Sequence, residues 1–293
     1  MYFNSSIDTK KKEFDRFYKK LLKNQLSQDL LSNAMIYASM NGGKRIRPFL
    51  VSIFSEIAKI KKGQSLRISA AIESIHSYSL IHDDLPSMDN DDFRRGKPST
   101  HKRFNEATAI LAGDALHDLA YEIISNKKTS SDPDVRILLI NKLSIATGSK
   151  GLAGGQSLDL MFENKKINFK KIIKMYEMKT AALFSFSCVA PYIVAKKNIK
   201  EINFVNNFGK LFGTIFQITD DILDQNLDFK SLGKTPGKDK AQGKSTLLSL
   251  TNKEELKKFC LKEIRIFTNK HKSYLLRNPI LSKLIYFNFE KLD

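Results

Sequence analysis

Apolar residues recur along most of the chain at the three-to-four-residue spacing that is typical of amphipathic helices. The pattern predicts helices over residues 14–37, 49–60, 66–82, 107–125, 135–147, 169–195, 201–227 and 254–276. Strand signals are nearly absent, and the breaks between the helices are short segments that contain Gly, Pro or Asn. Because neither a repeat period nor a flexible linker is evident, we expect one all-α domain over residues 1–293.

Composition limits the class of protein without naming a function. The chain has 293 residues, of which 42% are hydrophobic, enough for a large core. Its two cysteines, Cys188 and Cys260, form no CxxC pair, which argues against a disulfide framework or a zinc site and suits a reducing cytosol. The most apolar stretch, residues 181–195, contains Pro191 and is too short to span a bilayer. With no signal-peptide features at residues 1–14, we expect a cytoplasmic protein without a membrane span.

The net charge of +18 has two interpretations. It indicates either an anionic partner or a general bias of the chain toward lysine. The lysines are dispersed and follow no nucleic-acid-binding motif, so we attribute most of the charge to bias and expect no nucleic-acid partner. A basic nucleic-acid-binding helical protein remains an alternative on charge alone.

Negative charge is concentrated in LIHDDLPSMDNDDFRRGKPSTH, residues 80–101, with five aspartates within ten positions. Crowded carboxylates repel one another unless a cation or a proton neutralises them. Pro86 disturbs the helix that carries Asp83, so the chain can loop Asp89 back beside Asp83. His76, seven residues before Asp83, lies on the same helix face. Oxygen ligands of this kind favour Mg²⁺, and a solvated acidic loop is the alternative.

A second acidic cluster occupies IFQITDDILDQ, residues 215–225. Gln217, Asp221 and Asp224 recur at i, i+4 and i+7 on one helix face, with Asp220 beside them. The flanks are apolar, so the helix is expected to be mostly buried, and buried carboxylates need partners. We expect the two clusters to line one metal-binding cavity, and an exposed acidic stripe is the alternative.

Basic residues surround both acidic clusters. Lys44, Arg45 and Arg47 in GGKRIRP crowd a predicted helix start, where a bound anion would relieve their unfavourable charge. Arg94 and Arg95 follow the first aspartates directly. LGKTPGKDKAQGKST, residues 232–246, carries further lysines on a Gly-rich loop that is either a lid over a ligand or simply a mobile loop.

These motifs together resemble the bacterial trans-prenyl diphosphate synthases of the polyprenyl synthetase family. HDDLPSMDNDDFRRG fits the first aspartate-rich motif of that family, and DDILD fits the second. GGKRIRP, LAGDAL, GLAGGQSLDL, MKTAALF and LGK…GKST match other family blocks in the expected order. The resemblance implies a single-domain, all-helical isoprenoid-synthase fold around a deep central cavity, and a homodimer.

The resemblance also implies a role for each matching residue. Asp83 and Asp89 are expected to bind two Mg²⁺ ions with the support of Asp84, and Asp220 a third ion, with Asp224 acting through water and Asp221 in the same catalytic motif. Isopentenyl diphosphate is expected at Lys44, Arg47, His76 and Arg95. The allylic diphosphate and the carbocation are expected at Arg94, Lys179, Thr180, Gln217, Lys234 and Lys244.

The implied reaction joins isopentenyl diphosphate to dimethylallyl or geranyl diphosphate. Tyr78 lies five residues before Asp83, where a bulky ring blocks chain growth, so farnesyl diphosphate is the expected product. Ser79 neighbours the same pocket, and a Phe there is expected to shorten the product. The alternatives are a geranyl or geranylgeranyl diphosphate synthase, and further off a terpene cyclase or a non-catalytic subunit. The chain departs from the family in its C-terminal LIYFNFEKLD and in GKSTLL, both of which bear on active-site closure.

Overall fold

The computed structural model describes residues 2–224 and 243–292, and nearly all of them are helical. Its elements, in chain order, are α1 (Tyr2–Gln25), α2 (Leu30–Ser39), α3 (Ile46–Ala58), α4 (Lys62–Asp83), β1 (Phe93–Arg94), β2 (Lys97–Pro98), α5 (Thr100–Arg103), α6 (Glu106–Ser125), α7 (Pro133–Thr147), α8 (Leu152–Phe162), α9 (Phe169–Tyr176), a π-helical segment (Glu177–Ala181), α10 (Ala182–Val194), α11 (Ile199–Asp224), a 3₁₀ turn (Leu247–Ser249), α12 (Lys253–Lys270), α13 (Lys272–Arg277), α14 (Pro279–Tyr286) and a second 3₁₀ turn (Phe289–Leu292). The prediction of an all-α protein is confirmed.

Several details of the predicted helix pattern are wrong, among them the helix expected over 254–276, which is divided into α12 and α13. The helix expected over 14–37 is two helices, because Asp29 caps the start of α2 by accepting from the Ser32 N–H at 2.7 Å. The helix expected over 169–195 contains the π-helical segment. Helix α8 was not expected, because its adjacent glycines weaken the helical signal.

Short side chains define where several helices begin. Asn105, Asn168 and Asn252 each stand at an N-cap and accept a backbone N–H from the residue three positions later, at 2.7–3.0 Å. Each of these caps satisfies a backbone donor that the first turn cannot pair, which is worth about 1 kcal/mol. The helix boundaries therefore follow from local sequence.

The described residues form two compact units, and the first contains residues 2–141 and 190–196. Within it α4 packs against α3 and α6. Isoleucines of α4 and small alanines on both α4 and α6 are fully buried, which lets the two helices approach closely: Ile68, Ala70, Ala71, Ile72, Ile75, Ala109 and Ala112. This packing holds the end of α4, which carries the first aspartates.

The second unit contains residues 142–189, 197–224 and 243–292. Within it α11 packs against the π-helical segment and the start of α10 at two glycines. A Cβ atom on Gly213 would lie 2.6 Å from Ala181 Cα, and one on Gly209 would lie 2.5 Å from Ser185 Cα. Only glycine permits this approach, which places Lys179 and Thr180 beside the helix that carries the second aspartates.

Two further expectations concern membrane-spanning helices and the two cysteines. Across residues 2–224 and 243–292, the structure contains no helix that is both long and apolar enough to cross a membrane. Cys188 and Cys260 are buried thiols, and burial raises the pKa of Cys260 to about 12, so neither is a reactive thiolate. One domain over residues 1–293 stays a prediction.

Candidate active site

The first aspartate cluster forms where α4 ends. The Asp89 N–H donates to the Asp83 carbonyl oxygen at 2.8 Å, and the Asn90 N–H donates to the Leu85 carbonyl oxygen at 3.0 Å. The chain thus turns back on itself at Pro86, which confirms that Asp89 returns to Asp83. Asp89 is 9% exposed and Asp83 is half-buried, so two carboxylates lie at a single chain reversal.

Asp84 and Arg94 form a buried ion pair beside this reversal. Arg94 Nε donates to Asp84 Oδ1 at 2.9 Å, Arg94 Nη2 donates to the same oxygen, and Arg94 also lies 3.5 Å from Asp91. The side chain of Asp84 is 3% exposed, and these carboxylates raise the pKa of Arg94. Asp84 is therefore engaged by an arginine, which fits the supporting role expected of it. The role of Arg94 toward an allylic diphosphate stays a prediction.

The donors of this cluster suit magnesium. Carboxylate oxygens are hard ligands, and Mg²⁺ usually takes only one or two of them and completes its shell with phosphate and water. In the described part of the chain, no group of three His, Cys, Asp or Glu side chains converges as a ready metal cage. A site of two carboxylates that shares its ion with a diphosphate requires no such cage.

The basic residues of the GGKRIRP segment differ in how deeply they are buried. Arg45, at φ +52°, turns into the core and is 2% exposed, whereas Lys44 is exposed and Arg47 is half-buried. Arg45 donates from Nε to Asp15 at 2.8 Å, from Nη1 to Glu73, and from Nη2 to the Ser39 carbonyl oxygen. The expectation that a bound anion relieves the charge of Arg45 is wrong, since two protein carboxylates already do so.

A group of positive charges surrounds His76 in the first unit. The pKa of His76 lies well below its ordinary value because of burial, and then because of the charges of Arg47, Arg95, Arg45 and Arg94. Arg95 Nη1 donates to the Gly42 carbonyl oxygen at 2.7 Å. The charges of Arg47 and Arg95 thus act on His76, which groups three of the four residues predicted for isopentenyl diphosphate in one part of the first unit.

Tyr78, the predicted chain-length residue, lies in a layer of rings. Its ring meets His82 edge-on at 5.1 Å between centroids and His117 of α6 at 5.3 Å. Burial and the charge of Asp83 raise the pKa of Tyr78, so the phenol stays neutral. Ser79 is buried, and its hydroxyl donates to the His76 carbonyl oxygen at 2.9 Å. The effect of both residues on product length stays a prediction.

In the second unit the π-helical segment carries Lys179 and Thr180. Lys179 Nζ donates to Asp159 Oδ2 of α8 at 2.5 Å, and a Cβ atom on Gly155 would lie 2.1 Å from the Lys179 backbone nitrogen. π-Helical segments are rare and often occur at functional sites. Here the widened turn coincides with two residues predicted for the allylic substrate.

The second aspartate cluster is tied to the same segment by hydrogen bonds. Thr180 Oγ1 donates to Gln217 Oε1 at 2.6 Å, and Gln217 Nε2 donates to Asp221 Oδ1 at 2.8 Å. Tyr176 donates its phenolic hydrogen to the other oxygen of Asp221. Asp220 is exposed on α11. The side chain of Asp224 and all of Lys234 lie outside the described residues.

Several of these contacts were missed by reasoning from the sequence. Asp15 and Glu73 as partners of Arg45, Asp159 as partner of Lys179, and Tyr176 as partner of Asp221 belong to segments that carried no site prediction. Asp159 lay in the GLAGGQSLDL block, where a single acid among small and apolar residues was the available signal. Lys244, the remaining predicted lysine of the Gly-rich loop, is half-buried.

Comparison with known proteins gives one consistent answer. The model of the polyprenyl synthetase family matches residues 28–273. Farnesyl diphosphate synthase of Micrococcus luteus is 40% identical over 231 residues, which are 79% of each chain. Geranylgeranyl pyrophosphate synthase 4 of Arabidopsis thaliana is 40% identical over 232 residues, 78% of this chain and 62% of that protein.

A solved structure extends the similarity to the whole fold. The geranyltransferase of Helicobacter pylori, in a complex with magnesium and isoprenyl diphosphate, superposes with a TM-score of 0.84 at 31% identity, over 98% of this chain and 96% of that one. Aspartate clusters, their basic neighbours and these similarities agree: the chain has the all-α isoprenoid-synthase fold and belongs to the polyprenyl synthetase family.

Proposed function

We propose that this prenyltransferase condenses isopentenyl diphosphate with dimethylallyl and geranyl diphosphate to form farnesyl diphosphate. The observation that carries the proposal is the reversal of the chain at Pro86, which returns Asp89 to Asp83. In the same unit, the positive charges of Arg47 and Arg95 lie close enough to neutral His76 to lower its pKa. A carboxylate pair for a metal and a basic group for a second diphosphate are what two phosphorylated substrates require.

Magnesium use fits the family and the donors. We assign two ions to Asp83 and Asp89 and a third to Asp220, with Asp224 acting through water. Bound magnesium would neutralise the negative charge that builds on the departing diphosphate. The residues of the chain supply the remaining interactions.

The allylic C–O bond breaks first, and the diphosphate leaves with the electron pair. Lys179, Lys234 and Lys244 are positive charges for that leaving group. The Thr180 hydroxyl gives its hydrogen to Gln217, so the lone pairs of its oxygen are oriented away from that bond. We assign these lone pairs to the allylic cation, which an oxygen dipole stabilises.

The double bond of isopentenyl diphosphate then attacks the cation, and a proton lost to the released diphosphate restores the double bond. Lys44, Arg47 and Arg95 hold the diphosphate of isopentenyl diphosphate by charge. His76, whose pKa lies well below the ordinary value, stays neutral and contributes one N–H donor. Fixing the two substrates in contact lowers the entropic part of the barrier.

The test is prenyl transfer by the purified protein. Labelled isopentenyl diphosphate is incubated with each allylic primer and MgCl₂, and the product length is measured by chromatography. Asp83→Asn and Asp220→Asn should each nearly abolish turnover, whereas Asp134→Asn, at an exposed aspartate of α7, should leave it unchanged. Near-normal rates in both cluster variants would refute the metal assignment, and product formation without isopentenyl diphosphate would indicate a cyclase.

A longer product is the second candidate, since one relative is a geranylgeranyl diphosphate synthase. The ring of Tyr78, which packs against His82 and His117, favours the fifteen-carbon product, because a bulky side chain at this place on α4 is expected to block further growth of the chain. The same chromatogram decides between them. A twenty-carbon main product from the unaltered protein would favour the alternative.

We also propose that the chain is a homodimer, as the family suggests. Two exposed apolar pairs support this in the first unit: Ile110 and Leu111 on α6, which are 43% and 56% exposed, and Ile137 and Leu138 on α7, which are 64% and 40% exposed. Leu111→Glu with Ile137→Glu should give a monomer in analytical ultracentrifugation, while Ile199→Glu, at a residue that is 67% exposed, should not. A double variant that sediments as the unaltered protein does would contradict this surface. A cytoplasmic location stays a prediction.

A further inference from the structure

Tyr176, the last residue of α9, connects two parts of the second unit through one hydroxyl. The side chain is 3% exposed. Its O–H donates to Asp221 Oδ2, and its oxygen accepts the backbone N–H of Leu247 at 3.1 Å. Burial and the charge of Asp221 raise the pKa of Tyr176 well above its ordinary value, so the phenol keeps its hydrogen as a donor.

The carboxylate of Asp221 is held from both sides. Tyr176 occupies Oδ2 and the Gln217 amide occupies Oδ1, and Gln217 in turn accepts from Thr180. Two donors on different oxygens fix the plane of a carboxylate, because rotation about its Cβ–Cγ bond would break both bonds. A single hydrogen-bond chain thus sets the orientation of Asp221, Gln217 and Thr180 together.

The residues on the other side of Tyr176 carry Lys244. Gly243 accepts the Asn164 N–H at 2.9 Å, and the Ser245 hydroxyl donates to the carbonyl oxygens of Phe162 and Lys165. Leu247 is fully buried, and its N–H reaches Tyr176. Residues 243–247 are therefore anchored at both ends, and Tyr176 provides the anchor that is shared with the aspartate cluster.

We propose that Tyr176 is a positioning residue that orients the Asp221 carboxylate and links it to residues 243–247. This rests on the proposed function, which assigns the second aspartate cluster and Lys244 to the allylic diphosphate. Tyr176 acts through Asp221 and Leu247 and touches no substrate. It couples the position of the Asp221 carboxylate to that of residues 243–247, so a displacement of one is expected to displace the other.

Tyr176→Phe removes the hydroxyl and keeps the ring. We expect kcat to fall at least about tenfold, the Mg²⁺ concentration for half-maximal rate to rise several-fold, and KM for isopentenyl diphosphate to stay within about twofold, since its predicted residues are a different set. A second readout needs no turnover: the rise in Tm on adding MgCl₂ with inorganic pyrophosphate should be at most half that of the unaltered protein.

Tyr18→Phe is the matched control. Tyr18 is fully buried in the first unit, and its hydroxyl also makes two hydrogen bonds, to Ser39 and Ser74. Tyr18→Phe should lower Tm about as much as Tyr176→Phe does, without changing the Mg²⁺ dependence of the rate. The proposal is overturned if Tyr176→Phe keeps the Mg²⁺ dependence and the pyrophosphate-induced rise in Tm of the unaltered protein. It is also overturned if these two quantities change no more in Tyr176→Phe than in Tyr18→Phe.

The two readouts separate this inference from the proposed function. If the unaltered protein transfers no prenyl group, the reaction assignment fails, yet a smaller pyrophosphate shift in Tyr176→Phe still supports the positioning role. If the unaltered protein shows neither turnover nor a pyrophosphate shift, both are overturned.

Discussion

Arg45 offers the sharpest test of how the first unit is held together. Its guanidinium donates to Asp15 on α1, to Glu73 on α4 and to the Ser39 carbonyl oxygen at the end of α2. The side chains of Arg45 and Glu73 are 2% and 3% exposed. The perturbation is Arg45→Met, which keeps much of the aliphatic stem and removes the charge and all three hydrogen bonds.

The expected cost follows from this burial. Removing one partner of a buried ion pair leaves an uncompensated charge and typically costs about 3–5 kcal/mol. Asp15 adds little, because its side chain is 27% exposed and water can solvate it. With an unfolding entropy of about 2.1 cal/mol/K per residue, this cost corresponds to a fall in Tm of about 5–8 °C for a chain of this length.

The assay is urea and thermal unfolding followed by circular dichroism. Lys10→Met is the matched control, because Lys10 pairs with Glu56, whose side chain is 61% exposed, and losing such a pair should cost less than about 1 kcal/mol. Arg45→Met with Glu73→Met should recover most of the loss, since two apolar groups replace a buried pair at little cost. If Arg45→Met costs no more than Lys10→Met, the ion pair does not hold these helices together.

Three other measurements test separate parts of the structure. Tyr78→Ala should lengthen the product, because it removes the ring that packs against His82 and His117. An unchanged product length would show that this ring does not limit growth of the prenyl chain. The pKa of His76 is lowered in the folded protein, so stability is present above about pH 6.5 and falls as the pH drops, by up to about 1.4 kcal/mol per pH unit. His76→Asn should flatten this slope between pH 6.5 and 5, and equal slopes would contradict the shift. Gly155→Ala should cost about 1–3 kcal/mol, since its Cβ would lie 2.1 Å from the Lys179 nitrogen, whereas Gly63→Ala meets nothing within 4 Å and should stabilise α4; equal effects on Tm would exclude the close contact.

Sequence alone was sufficient for features whose partners lie within one or two helical turns. The apolar period predicted most of the helices. Pro86, shortly after the first aspartate pair, predicted the chain reversal that brings Asp89 back to Asp83. The spacing of Gln217 and Asp221 likewise predicted a shared face, and the two side chains are hydrogen-bonded. The ordered motifs indicated the family, which the comparisons confirm.

Tertiary structure alone decided which charged groups neutralise one another. Lys44, Arg45 and Arg47 look alike in the sequence, yet only Arg45 turns inward, to a glutamate 28 positions away. Tyr176 gave no signal at all, because its partner Asp221 is 45 positions distant. Helix propensity and chain reversals depend on neighbours along the chain, whereas the pairing of buried charges depends on which helices pack together, and that is a property of the fold.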